Sequence, residues 1–250
     1  MKILGIETSC DETAAAVVED GSRMLSNAVA SSMDIHVKYG GVVPEIAARS
    51  HIEAIIPVVQ QALADAGCGW DDIDAIGVTQ GAGLGGSLLI GVLTARTVAI
   101  THGKPLYAIN HVEAHVYANF VTTTSLPGYQ LPDKQPGFPI LAVIVSGGHS
   151  QLVLFRDHFD YTVLGRTHDD AIGEAFDKVA KMLGLPYPGG PSIAQAAVKG
   201  DPAAFPLPTA KMNKYDFSFS GLKTAVLRLA QAQIGETYAF PSTKLPERLS

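Results

Sequence analysis

One pattern occurs twice in this chain and constrains its fold more than any other feature: an apolar run, a short polar turn, and a second apolar run. Ile3 to Glu7 leads into Thr8-Ser9-Cys10-Asp11-Glu12 and then Ala14 to Val18, closed by Glu19-Asp20-Gly21. Ile140 to Val145 leads into Ser146-Gly147-Gly148-His149-Ser150 and then Leu152 to Phe155, closed by Arg156-Asp157. Apolar runs of strand length bounded by turn-forming residues predict a β-hairpin at each place. A supersecondary unit met twice predicts two related halves, each opening with its own hairpin.

A chain of 250 residues is long enough for two such halves. The stretch from Thr122 to Phe138 is rich in Thr, Pro and Gly and has no helical period. It is expected to connect halves spanning 1–121 and 139–250. In the first half, strands are expected at Met24 to Ala30, Ala75 to Thr79 and Leu106 to Ile109, with helices at about 44–66, about 86–102 and from His111 onward. Such alternation indicates α/β layers. The second half repeats the hairpin, then a strand at Tyr161 to Leu164 and a helix at about 169–183, and turns helical at about 192–198 and 220–233. The later strands of the first half have no counterpart there, so the second domain is expected to be incomplete.

Hydrophobic residues at 47% against 17% charged supply enough apolar surface for packed cores and exclude a disordered chain. Eighteen Lys and Arg against 24 Asp and Glu leave a formal charge of −6, which argues against a protein that coats nucleic acid unaided. The cations are unevenly spread, however. Lys178 to Arg228 holds seven of them against only Asp201 and Asp216, an excess that suits either a polyanion or solvated helix faces. The best candidate for a membrane span, Ser87 to Ile100, is interrupted by Arg96, and Glu7 ends the apolar start too early for a secretory signal. A soluble, cytoplasmic protein with no membrane partner is expected. Cys10 and Cys68 are too few for a disulfide framework and are expected to be reduced.

His111 and His115 stand four apart at the start of an expected helix, so both imidazoles share one face and can meet one metal ion. Glu113 comes two residues after the first histidine, not one, which disfavours the zinc-protease arrangement His-Glu-x-x-His. A third ligand has to come from elsewhere. In the second hairpin turn, Ser146, Gly147 and Gly148 make a candidate phosphate cradle, because backbone N–H groups in such turns point at anions. In the first, Asp11 and Glu12 suit a cation or an oriented water instead. Gly81 to Ser87 follows a strand and opens a helix, a position that fits an anion site or tight strand-to-helix packing equally. His36, His51, His102, His149, His158 and His168 show no comparable pairing, and most are expected to be bystanders.

Seven motifs taken together resemble one family. They are Ile6-Glu7-Thr8-Ser9-Cys10-Asp11-Glu12-Thr13, Tyr39-Gly40-Gly41-Val42-Val43-Pro44-Glu45, His111-x-Glu113-x-His115, Val145-Ser146-Gly147-Gly148-His149, Gly173-Glu174-Ala175-Phe176-Asp177-Lys178, Tyr187-Pro188-Gly189-Gly190-Pro191 and Asp216-Phe217-Ser218-Phe219-Ser220-Gly221-Leu222-Lys223. In this order they resemble the TsaD family of bacterial transferases that make threonylcarbamoyladenosine in tRNA. The resemblance implies duplicated actin-like, sugar-kinase-like domains with an interdomain cleft.

It implies further that a threonylcarbamoyl group passes from threonylcarbamoyl-AMP to the exocyclic amine of the adenosine next to the anticodon, in tRNAs reading codons that begin with adenine. By position, His111 and His115 would hold one divalent metal ion, iron or zinc. Ile144, Val145, Ser146, Gly147 and Gly148 would bind the adenylate together with Asp177 and Gly190. Asp11 and Glu12 remain candidates for assisting catalysis. The partners implied are tRNA, a non-catalytic paralogue (TsaB) and a small ATPase (TsaE). The family usually reads Gly-Pro-Gly where this chain has Gly81-Ala82-Gly83, and it continues past residue 250 with an Asn for the nucleotide and an Asp for the metal. Two alternatives remain: a non-catalytic scaffold of the same complex, and a sugar-type kinase, which has no need of the paired histidines.

Overall fold

The first strand, β1 (Lys2–Glu7), buries Leu4 and Ile6 and turns Ile3, Gly5 and Glu7 to its other face, the period of two that the pleat imposes. Its hairpin partner β2 (Glu12–Glu19) runs antiparallel and buries Thr13, Ala15 and Val17 by the same alternation, and β3 (Arg23–Ser31) adds antiparallel to β2. There follow α1 (Met33–Val37), α2 (Pro44–Asp65), β4 (Ala75–Gly81), α3 (Gly85–His102), β5 (Leu106–Asn110), α4 (His111–Tyr117) and β6 (Thr123–Thr124). Strand β4 inserts parallel between β1 and β5, giving a sheet ordered β5-β4-β1-β2-β3-β6. Ala75 to Thr79 are all buried, as suits a parallel strand with neighbours on both sides in the sheet. This is a computed structural model, and it describes residues 1–249.

The core of this first unit lies between the sheet and helices α2 and α3. Leu4, Ile6, Ala15, Val17 and Ala28 from the strands meet Ile55, Val59, Ala62 and Leu63 of α2 and Ala95 and Ala99 of α3. On α3 the buried positions are Ser87, Gly91, Ala95 and Ala99, four apart, so small side chains face the sheet. Thr8 at the end of β1 donates its hydroxyl to the Ser87 carbonyl at 2.9 Å, joining the first hairpin turn to α3.

The chain divides into this unit, Met1–Gly137, and a second beginning at Phe138. The stretch 122–138, expected to connect the two halves, belongs almost wholly to the first unit. Thr123 and Thr124 pair parallel with Arg23 and Met24, Asn27 donates to the Tyr129 hydroxyl at 2.9 Å, and Gln135 donates to the Phe120 carbonyl at 3.1 Å. Two Thr residues with β propensity meeting an open strand edge account for the pairing.

The second unit opens with β7 (Ile140–Val145), β8 (Ser150–Asp157) and β9 (Asp160–Arg166), an antiparallel sheet in that order. Val153 and Phe155 of β8 are buried, whereas Leu141, Val143 and Val145 of the edge strand β7 are exposed. Helices α5 (Ile172–Leu183), α6 (Gly189–Ala197), α7 (Ser220–Gln233) and the short α8 (Pro246–Leu249) follow, with α6 and α7 packed on α5. Helix α5 starts three residues later than its sequence suggests, because Asp169 and Asp170 are used elsewhere. Asp169 accepts from the Ser218 hydroxyl at 2.6 Å and the Phe219 amide at 2.8 Å. No helix among the described residues is long and apolar enough to cross a membrane.

Candidate functional site

Asn110, the last residue of β5, caps α4: its side-chain oxygen accepts from the Val112 amide at 2.9 Å and the Glu113 amide at 3.3 Å. That cap satisfies N–H groups that have no partner within the helix. It sets His111 and His115 one turn apart, with their Nε2 atoms 3.1 Å from each other. The His111 Nδ1 lies 3.2 Å from a Glu7 carboxylate oxygen and 3.2 Å from the Ser9 hydroxyl. Glu7 also accepts from the Ser9 amide and, at 2.5 Å, from the Thr79 hydroxyl.

Burial raises the Glu7 carboxyl, but bonds from His111, Ser9 and Thr79 outweigh it and hold the group down at about 2. An ionised carboxylate can only accept, so the proton of a neutral His111 sits on Nδ1 and its Nε2 presents a lone pair toward His115. Two imidazole nitrogens 3.1 Å apart can both lie about 2.0–2.1 Å from one shared ion. The donor set therefore fits a divalent metal with two histidine ligands and a carboxylate behind the first. Among the described residues no group of three His, Cys, Asp or Glu side chains could hold a metal, so the pair leaves further coordination positions open. A hollow of about 480 Å³ adjoins them, lined by Gly5, Ala14, Ala16 and Gly77 together with Glu7, His111 and His115.

The other candidates of the first unit are placed more plainly. The Asp11 carbonyl accepts from the Ser32 amide and hydroxyl at 3.1 and 2.7 Å, tying the hairpin turn to the end of β3, and Glu12 is exposed at the start of β2. The Gly81 to Ser87 stretch packs tightly, since the Leu84 amide donates to the Ser9 carbonyl at 2.7 Å. His51 is a core residue between the Thr13 hydroxyl at 2.8 Å and the Cys10 carbonyl at 3.0 Å, and His102 stacks on Trp70.

In the second unit, α5 brings the remaining candidates together. At its start the Gly173 amide donates to the Ser146 carbonyl at 3.1 Å. One turn further, Asp177 accepts from the Gly189 amide at 2.7 Å, which places the start of α6, and with it Gly190, against the same helix. Gly147 and Gly148 are exposed at the tip of the turn, with open space where a Cβ would stand. Ser146 closes the turn itself, its hydroxyl accepting from the His149 amide at 3.0 Å. Ile144 is buried and Val145 is 61% exposed, so Ile144 can contribute only through its backbone.

A family model described as TsaD, tRNA N6-adenosine threonylcarbamoyltransferase, matches residues 23–247. The chain belongs to the TsaD family. A tRNA N6-adenosine threonylcarbamoyltransferase of Thermomicrobium roseum is 58% identical over 92% of this chain and 62% of its own length. The enzyme of that name from Dehalococcoides mccartyi is 53% identical over 93% of this chain and 68% of its own. The chain thus spans about two thirds of the length of these curated relatives. Component A of the (R)-2-hydroxyglutaryl-CoA dehydratase of Acidaminococcus fermentans is a distant structural likeness, at 12% identity and a TM-score of 0.47 over 98% of this chain and 72% of that one.

Two features of this TsaD-family chain escaped the sequence. Glu7 reads there only as the end of a strand, and its one signal is a carboxylate closing an otherwise apolar run. A Glu7→Gln substitution keeps the shape and removes the charge, and metal affinity measured by chelator competition is expected to fall about 10- to 100-fold. Unchanged affinity would show that Glu7 does not orient His111. The second feature is how closely α5 approaches its neighbours. A Cβ at Gly173 would lie 2.7 Å from the Ser146 carbonyl oxygen, and one at Gly189 would lie 2.5 Å from the Phe176 carbonyl oxygen. Alanine at either is expected to cost about 1–3 kcal/mol in a denaturant titration.

Proposed function

We propose that this chain transfers the threonylcarbamoyl group of threonylcarbamoyl-AMP to the exocyclic amine of the adenosine beside the anticodon, in tRNAs reading codons that begin with adenine. The observation that carries the reading is the convergence of the His111 and His115 Nε2 atoms, 3.1 Å apart, with the Glu7 carboxylate behind His111. One divalent ion per chain, iron or zinc, would be held there. Bound, it would supply a Lewis acid for the carbamoyl oxygen.

The chain's own residues do the rest. Glu7 keeps the His111 proton on Nδ1, so that Nε2 stays available. The backbone of Ile144, Val145, Ser146, Gly147 and Gly148 receives the adenylate, with exposed glycine amides for its phosphate. Asp177 and Gly190 complete that pocket through the bond that already joins Asp177 to Gly189. Asp11 and Glu12 are the carboxylates of the first turn closest in sequence to Ser9, and they are proposed as assisting groups without a proton-transfer role. The antiparallel order β7-β8-β9 repeats β1-β2-β3, which supports an actin-like, duplicated plan. TsaB and TsaE are the proposed protein partners.

The test supplies the chain with zinc or iron, threonylcarbamoyl-AMP, unmodified tRNA and the proposed partners TsaB and TsaE, and measures the modified nucleoside by mass spectrometry after digestion. Threonylcarbamoyladenosine in the tRNA is the expected result. Its absence from a chain that binds both metal and adenylate would overturn the reading.

A further inference from the structure

We propose that the exposed strap from Val198 to Tyr215, together with a hollow beside its anchored end, binds an unpaired RNA segment. It rests on the transferase reading only for the choice of RNA as the polyanion. Every residue from Ala194 to Tyr215 is exposed, and no helix or strand is formed between α6 and α7. Lys199, Lys211 and Lys214 lie in the strap with a single carboxylate, Asp201. Interleaved with them are aromatic rings left open to solvent, Phe205 at 45% and Tyr215 at 55% exposure. Pro202, Pro206 and Pro208 fix φ along the middle of the strap, so less conformational freedom is lost when a ligand settles on it.

The end of the strap is held firmly. The Phe217 amide donates to the Arg166 carbonyl at 3.0 Å, the Arg166 amide donates to Asp216 at 3.1 Å, and His168 Nε2 lies 2.9 Å from the other Asp216 oxygen. The backbone of Tyr215 packs directly on Gly165. Beside it is a hollow of about 240 Å³ lined by Gln151, Val163, Leu164, Gly165, Arg166 and Asp216. That lining offers amide and guanidinium donors, amide and carboxylate acceptors, and an apolar wall. A base edge needs this mixture, and a splayed base stacks on a ring such as Tyr215. Lysines alone would suit an acidic peptide as well, but alternating rings and cations are how proteins track a single strand, bases on the rings and phosphates on the lysines.

The experiment measures binding of the full chain to a labelled RNA hairpin with an open loop, to a fully paired RNA duplex, and to polyglutamate. Tyr215→Ala is expected to weaken hairpin binding about tenfold, and Tyr215→Phe to restore it. Replacing Lys199, Lys211 and Lys214 with Gln should reduce the slope of log affinity against log salt by about 2. Melting temperatures should match the parent, since these side chains are exposed. If the parent binds the hairpin and Tyr215→Ala binds it equally, the strap is wrong and the transferase reading stands. If polyglutamate or the duplex binds as tightly as the hairpin, an unpaired RNA is not the ligand. If the parent binds no RNA at all, the strap is wrong, while the transferase reading is decided by its own assay with the partner proteins present.

Discussion

A chain carrying His111→Ala and His115→Ala together is expected to retain no iron or zinc after dialysis, where the parent retains about one ion. On the proposed reading, transfer of the threonylcarbamoyl group should fall to background in the same variant. The fold should survive. His111 and His115 sit on a seven-residue helix outside the hydrophobic core, and α4 keeps its Asn110 cap. Each single variant leaves one imidazole, and a lone histidine holds an exchangeable ion poorly, so the singles should behave nearly as the double does. Elemental analysis beside the nucleoside assay decides the matter: a double variant that keeps its metal would place the ion elsewhere in the chain.

The second large effect is expected in the other unit, where Asp170 holds two lysines. One oxygen lies 2.7 Å from the Lys178 ammonium and the other accepts from Lys223, while Lys178 also reaches Glu174 at 2.8 Å. The Asp170 side chain is only 13% exposed. Burial alone would raise its carboxyl, but the bonds from Lys178 and Lys223 outweigh burial and hold it below the ordinary value. Asp170→Ala leaves Lys223 facing a gap and Lys178 with Glu174 alone, at a cost of about 2–4 kcal/mol and a melting temperature lowered by about 5–15 °C. Because folding depresses this carboxyl, its contribution is complete above the ordinary value of 3.8 and disappears as pH falls through the lower folded value. Parent and variant should therefore differ in melting temperature at neutral pH and converge in strong acid. A constant difference across that range would mean that packing, not charge, accounts for the loss.

Much of the fold was legible because local periodicity carries it. The alternation in β1 and β2 marks their buried faces, and the run Ala75 to Thr79 marks β4 as a strand. The four-residue spacing of His111 and His115 is enough to put them on one helix face. What periodicity does not contain is visible at 122–138, where Thr, Pro and Gly indicate a connection but not its partners. Those residues pair with β3 and bind Asn27 because an open sheet edge and an amide side chain happen to face them. The late start of α5 has the same origin, since Asp169 is drawn to a loop about fifty positions later in the chain.

The candidate site divides along the same line. The sequence by itself determined which residue types stand together on a helix face or in a turn: the histidine pair and the Ser146-Gly147-Gly148 turn. Only the tertiary structure decided what surrounds them. Glu7 meets His111 across 104 positions because parallel pairing of β1, β4 and β5 sets the end of β1 beside the start of α4. Asp170 meets Lys223 across 53 positions because α7 packs on α5. A side chain's direction follows from its own element, and a short stretch of sequence encodes that. Its partners follow from sheet register and helix packing, which depend on the whole chain closing over a common core.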